Sequence, residues 1–327
     1  MTQRLFKSRE FLLLIAIGAL VALIATRFPA FIAPGNLLNV YNDTAILIIL
    51  ALAQTAVILT KGIDLSIAAN LALCGMVAAM INSAMPDVPV VALILVAIAV
   101  GTLLGAINGL LVWKVDIPPI VVTLGTMTIF RGVIFLLTDG AWINAHEMSD
   151  AFKAFARTDI GPLPVLSWMS IVVIVIMAVV LTRTAIGRAF YAVGGNPHAS
   201  VYAGISVGRT QFIAYVLAGA LAGLSGYLWV SRYAVAYVDI AGGFELDVVA
   251  ACVIGGVSIA GGVGSVPGAV LGALFLGIIK NALPVIDISP FWQLAISGTV
   301  IIIAVAVNAR SERRTGRVIL KKAEHAT

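Results

Sequence analysis

Three amide side chains, Gln54, Asn70 and Asn108, sit well inside long apolar runs. An amide offers two donors and a two-lone-pair acceptor to whatever shares its surroundings. In an apolar interior those groups could hydrogen-bond the hydroxyls of a passing polar solute. They could equally tie neighbouring helices together. Gln54, Asn70 and Asn108 are therefore the candidates for a translocation path. Asp64 and Ser66 lie in the polar break 61–66 between two apolar runs, where both residue types suit the capping of the helix that follows. Arg131 lies inside a run, seven residues from its end, within reach of a snorkelling side chain. Ionisable residues in such runs are functional suspects by default, and Arg131 stands without an assigned role. No carboxylate falls at the middle of a run, which argues against a proton- or sodium-coupled carrier.

The supply of catalytic groups is thin. The three histidines, His146, His198 and His325, each lie in a polar segment, and the two cysteines, Cys74 and Cys252, lie in apolar runs. The cysteines read as small buried side chains, and no metal site can be assembled from this set. There is no Ser/His/Asp set, no paired acid and no thiol–imidazole pair. The glycine-rich stretch 255–268 lacks the G-x-x-x-x-G-K-[ST] spacing of a phosphate loop. The sequence thus reads as a non-enzyme with no cofactor of its own.

The elements that carry these residues follow from composition. Of 327 residues 61% are apolar and 11% charged, with a mean hydropathy of +1.10. So few charges cannot cover a water-soluble surface. About 20 apolar residues cross a bilayer core as a helix. Candidate spans run over 11–26, 44–60, 66–84, 88–113, 118–138, 165–182, 210–230, 248–260, 266–283 and 291–309, the eighth short and broken by glycines. With the N-terminus inside and the spans alternating, the inside segments hold fourteen Lys and Arg, the outside segments four and the spans two. That asymmetry places both termini in the cytoplasm. It also explains the net charge of +5 as topology, so no nucleic acid is expected. The five tryptophans near span ends fit an interfacial belt. The chain divides into an N-terminal tail 1–10, a membrane domain 11–309 and a basic tail 310–327.

Gly101, Gly105 and Gly109 repeat every four residues, as do Gly264, Gly268 and Gly272, a spacing that lets helices pack closely. The order Gly101/Gly105, Asp116-Ile117-Pro118, Gly125-Thr126 returns as Gly268/Gly272, Asp287-Ile288-Ser289-Pro290, Gly298-Thr299. The two copies lie five spans apart and run in opposite directions, as in an inverted 5+5 repeat. Between spans six and seven lies the longest inside loop, 183–209. Asn196 can cap a short helix there, with Pro197 in its first turn and Gly204 at its end. Such a helix is a natural docking knob for a soluble partner.

The string GRAFYAVGGNPHASVYAGI, followed by AGALAGLSG and GFELDVVAACVIGGVSIAGGVGSVPGA, resembles the permease subunits of ribose-type ABC importers. Gly62-Ile63-Asp64-Leu65-Ser66, Ile117-Pro118-Pro119-Ile120 and Arg131-Gly132 agree, so the resemblance runs from about residue 40 to 310. It implies an all-α integral membrane protein with the type II importer fold and about ten transmembrane helices. It implies that 196–205, with Asn196, Pro197, Ala199, Ala203 and Gly204, is the coupling helix that docks on an ATPase, in this family often a fused double ATPase that uses ATP and Mg. A second permease copy or paralogue, a periplasmic sugar-binding protein and the bilayer of a bacterial inner membrane are the further partners implied. The substrate implied is a monosaccharide. The stretch 229–262 is most like rhamnose-type permeases, with ribose and autoinducer-2 permeases close by.

Overall fold

The structure is a computed structural model that describes residues 9–285 and a few isolated positions beyond. Helix α1 (Arg9–Arg27) leads through the 3-10 turn Pro29–Ile32 into α2 (Pro34–Leu59). There follow α3 (Ile67–Ala84), α4 (Val90–Lys114) and α5 (Pro119–Thr138). A connecting segment holds the short helix α6 (Asp150–Phe155) and a hairpin of β1 (Asp159–Ile160) and β2 (Leu163–Pro164). Then come α7 (Val165–Arg183), α8 (Ala185–Gly195), α9 (Pro197–Tyr202), α10 (Val207–Tyr233), α11 (Phe244–Ile254) and α12 (Val266–Val285). Among the described residues eight helices are long and apolar enough to cross a membrane: α1–α5, α7, α10 and α12. They match the expected spans one to seven and nine. The tenth span, 291–309, and the basic tail lie outside the described residues.

Helix α2 is the axis of the bundle. Every residue from 44 to 60 is buried, and a helix apolar all round must lie inside. It starts ten residues before the expected span because Pro34 opens its first turn and Asn36 bonds back to the Phe31 carbonyl. Its polar first turns carry it beyond the apolar run. Helices α1, α4, α5 and α7 leave most of their apolar surface exposed, as lipid-facing helices do.

The eighth span is short, as its glycines suggest. Helix α11 has 11 residues, about 16 Å at the α-helical rise, roughly half a bilayer core. The glycine-rich segment 255–265 that follows it is irregular. Its backbone is paired by Val257 N–H to the Cys252 carbonyl, Ser258 N–H to Val263 and Gly262 N–H to Leu59 at 2.9, 2.9 and 3.0 Å. Irregular backbone next to a spanning bundle needs such partners from the protein itself.

The inverted repeat shows in which helices pair. Moving each helix five spans on turns the α4–α10 pair into α12–α2, α3–α10 into α11–α2, and α3–α4 into α11–α12, and all six of these contacts exist. The two cysteines take corresponding places: Cys74 of α3 lies against Gly226 of α10, and Cys252 of α11 against Ala51 and Thr55 of α2. The outer helices break the pattern, since α7 packs on α2 while α1 packs on α12. So do the glycines. A Cβ on Gly101 would lie 2.3 Å from the Gly219 carbonyl of α10, whereas one on Gly272 would lie 2.0 Å from Ala251 of α11.

Candidate functional site

The bundle has a basic end, with Lys61, Lys114, Arg183, Arg188 and Arg209, and an opposite end capped by segment 139–164 and the 234–243 turn. Chemistry-bearing side chains gather in three places.

The first is the break between α2 and α3. Asp64 is fully buried there, outside both spanning segments. Its Oδ1 accepts from the Ser66 N–H at 2.9 Å and the Ser66 hydroxyl at 2.6 Å. That hydroxyl accepts from Asn108 Nδ2 of α4 at 2.8 Å. The Gln54 amide lies along the Asp64 main chain, its oxygen accepting from the Asp64 N–H at 3.0 Å and its nitrogen donating to the carbonyl at 3.3 Å. Asn70 donates to the Gly101 carbonyl at 3.3 Å and accepts from the Cys74 thiol at 3.2 Å. Thr123 of α5 donates to the Ile63 carbonyl at 3.1 Å. Gln54, Asp64, Ser66, Asn70 and Asn108 thus form one buried polar cluster. Its amides bond to protein neighbours in the α2–α3 break, on α3 and on α4.

Capping takes a different form from the one expected. The Ser66 side chain makes no cap bond to α3. Instead Asp64 accepts the Ser66 N–H and Asn108 takes up the hydroxyl. Three atoms here have no hydrogen-bond partner among the described residues: Asp64 Oδ2, Asn108 Oδ1 and the Tyr215 hydroxyl. Sequence reading misses Tyr215, which enters from α10. Its hydroxyl lies 2.8 Å from where a Cβ on Gly62 would stand, so the glycine makes its room. Burial pushes the Asp64 carboxyl up to about 6, against the smaller lowering by its two Ser66 bonds.

The second place is the capped end. Arg131 Nη1 donates to the carbonyls of Val238 and Ile240 at 2.6 and 2.7 Å, clamping α5 to the turn that precedes α11. Ile143 and Ala236 exchange both backbone bonds at 2.9 and 3.0 Å. The Asn82 side-chain amide donates to the Ser149 hydroxyl and accepts from its N–H, both at 2.9 Å, and Ser231 donates to the Phe152 carbonyl at 2.6 Å. Arg232 pairs with Asp43 and Lys280 with Asp247.

The third place is the basic end. Asn196 accepts from the Ala199 N–H at 3.0 Å and caps α9, with Pro197 in the first turn and Gly204 at φ +78° beyond its end. Asn196, Ala199, Ala203 and Gly204 are exposed, and Val201 and Tyr202 point outward with Tyr202 93% exposed. The preceding helix is held from below. A Cβ on Gly194 would lie 1.7 Å from the Leu59 carbonyl and 2.3 Å from Gly262 N, so only glycine permits this three-way backbone junction.

A family profile described as the branched-chain amino acid transport system permease component matches residues 36–305. A ribose import permease of Haemophilus influenzae is 37% identical over 303 residues, 92% of each chain. The chain belongs to the ribose-type permease family of ABC importers. A ribose import permease of Bacillus subtilis is 40% identical to this permease over 292 residues, 89% of this chain and 90% of that one. An autoinducer 2 import permease of Enterobacter sp. is 35% identical over 306 residues, 94% of this chain and 88% of that one. No solved structure gives a match. The permease is an all-α membrane transport subunit, not an enzyme.

Proposed function

We propose that this permease carries a monosaccharide of about ribose size across the bacterial inner membrane, driven by a separate ATPase that docks on α9. One observation carries the docking: α9 is a capped helix that presents Val201 and Tyr202 outward at the basic end. A large aromatic that none of the described residues covers suits a partner cleft. Relatives named for ribose import support the sugar and make ribose the first to test. Rhamnose keeps its place only by the sequence likeness of 229–262. An autoinducer 2 permease among the relatives supports that solute as the second reading.

On this reading the basic end faces the cytoplasm, with both termini, and the capped end receives sugar from a periplasmic binding protein. A second permease copy or paralogue completes the path, and the ATPase is a fused double subunit. Asp64, Ser66, Gln54, Asn70 and Asn108 brace the α2–α3 break in our reading, because the hydroxyl and amide donors among them bond to protein partners.

Docking is tested by Ala203→Glu. Ala203 closes α9, and a carboxylate buried unpaired in a partner cleft costs several kcal/mol. The ATPase should fail to co-purify, and ATP hydrolysis stimulated by loaded binding protein should fall at least tenfold, while the chain inserts normally. Wild-type values of both would remove α9 as the coupling element.

A further inference from the structure

We infer that Gly194, at the end of α8, is the positioning residue through which motion of the docking helix enters the bundle, by a junction of backbone on backbone. The inference rests on the docking reading above and goes beyond it. Docking on α9 sets where the ATPase sits, and Gly194 sets where its motion goes.

Helices α8 and α9 form one lever. Asn196 is the single residue between them. Its N–H donates to the Ala192 carbonyl at 3.0 Å, which closes α8, and its side chain caps α9. Ser200 is buried against that joint, its hydroxyl donating to the Asn196 carbonyl at 2.9 Å. A joint bonded to both helices in this way does not bend freely.

The tip of α8 meets the last turn of α2, whose carbonyls have no partner within the helix. Those of Val57 and Ile58 accept from the N–H groups of residues 60–62 just beyond it. The Leu59 carbonyl accepts from the Gly262 N–H at 3.0 Å, and the Thr60 carbonyl from Gln211 Nε2 of α10 at 3.2 Å. Gly194 is buried against the Leu59–Gly262 bond, since one Cβ there would overlap both the oxygen and the nitrogen. Gly261 closes the same spot, its Cβ position 2.5 Å from Lys61 Cγ and 3.2 Å from Gly194 Cα. Tyr191, one turn before Gly194, donates its hydroxyl to the Gly264 carbonyl at 3.0 Å.

Two properties make this junction a transmitter. Side chains absorb a small displacement by changing rotamer, and Gly194, Gly261 and Gly262 have none to change. Close-packed atoms of this kind pass strain on. The second property is what the junction joins. Helix α2 belongs to one half of the inverted repeat, and Gly262 lies between α11 and α12 of the other. A shift of α9 therefore reaches both halves at one point, beside the break that holds Asp64. Glycine where helices meet often serves close packing alone. Packing alone predicts less folded protein, with normal signalling in whatever protein folds.

The test uses the complete importer, with permease, ATPase and binding protein, in liposomes. ATP hydrolysis per inserted complex is measured with and without binding protein loaded with D-ribose, beside uptake of the labelled sugar. Gly194→Ala should keep ATPase co-purification and basal hydrolysis within about twofold of wild type. Stimulation by the binding protein and uptake should each fall about tenfold, because that signal crosses the same junction. Gly195 is exposed, with nothing within 4 Å of its Cβ position, so Gly195→Ala should match wild type. Tyr191→Phe, which loses only the hydroxyl, should lower stimulation about threefold. Wild-type stimulation in Gly194→Ala overturns the inference, as do equal losses in Gly194→Ala and Gly195→Ala. If Gly194→Ala does not insert, Tyr191→Phe decides, and unchanged stimulation there overturns it. Ala203→Glu separates the two readings. A bound, stimulated ATPase in that variant refutes docking on α9; a lost ATPase there, with Gly194→Ala unaffected, refutes the junction alone.

Discussion

At the scale of single residues, Asp64 carries a charge where nothing of opposite sign among the described residues is bonded to it. Its carboxyl is held at about 6 by burial, above the 3.8 of a free side chain. Between those values the folded chain keeps a proton that the unfolded chain has lost. Stability therefore falls as pH rises from about 4 to 6, and the full cost stands above that window. About two pKa units correspond to about 3 kcal/mol. Asp64→Asn keeps an oxygen for Ser66 and puts a donor where Oδ2 has no partner. The variant should unfold at a higher temperature than wild type at pH 7, and the gap should close by pH 4. Thermal unfolding of the detergent-solubilised permease across that range is the measurement, and a gap independent of pH would contradict it. Composition made Gln54, Asn70 and Asn108 conspicuous as polar groups in apolar runs. Their partners were not legible, because Ser66, Gly101 and the Asp64 main chain lie on other elements. The carbonyls that hold Arg131 are more than a hundred residues away in sequence.

Helices were legible where hydrophobicity is a local property. The apolar runs of spans one to seven and nine each became one helix, with ends displaced where a proline or capping residue overruled hydropathy. The cap of α9 was legible for the same reason, since Asn196, Pro197 and Gly204 act within a few residues of one another. The glycine seams were visible as a repeat but not in their partners. Gly101 and Gly105 meet α10 through backbone, and a Cβ on Gly105 would lie 2.3 Å from the Tyr215 carbonyl. Gly125 has nothing within 4 Å of its Cβ position. Gly105→Ala should therefore cost about 1–3 kcal/mol, the range for overpacking a tight interior. Gly125→Ala should be neutral or slightly stabilising. Denaturation midpoints of the two purified variants compare the sites directly, and equal values would mean that the α4–α10 seam is looser than described.

Over the whole molecule, the two ends differ in what they do with charge. The basic end leaves its lysines and arginines around the exposed helix α9, while the capped end uses Arg131 and Arg232 as staples between segments. On the topology proposed, single cysteines placed at Tyr202 and at Asp150, in a background with Cys74 and Cys252 removed, should react from opposite sides. A membrane-impermeant thiol reagent added to intact cells should label the Asp150 position and leave the Tyr202 position until the cells are opened. Labelling of both from outside would invert or break the assignment. The pseudo-symmetric core, α2–α4 against α10–α12, also makes the short α11 the counterpart of the full-length α3.

That shortness bears on how the chain is made. During synthesis a segment enters the bilayer on its own when its length and hydrophobicity suffice. Eleven residues followed by a glycine-rich stretch cannot satisfy either the bilayer thickness or their own backbone groups. Their partners are α2, made long before, and α12, made just after. Helix α11 should therefore wait at the membrane surface until α12 emerges, and then enter with it as a hairpin. A nascent chain stopped after residue 265 would carry its end on the outer side, whereas one stopped after 285 would have threaded 255–265 back to the cytoplasm. A glycosylation acceptor or protease site placed at residue 260 in the two truncated chains reads that difference, and identical sidedness in both would show that the half-helix inserts unaided.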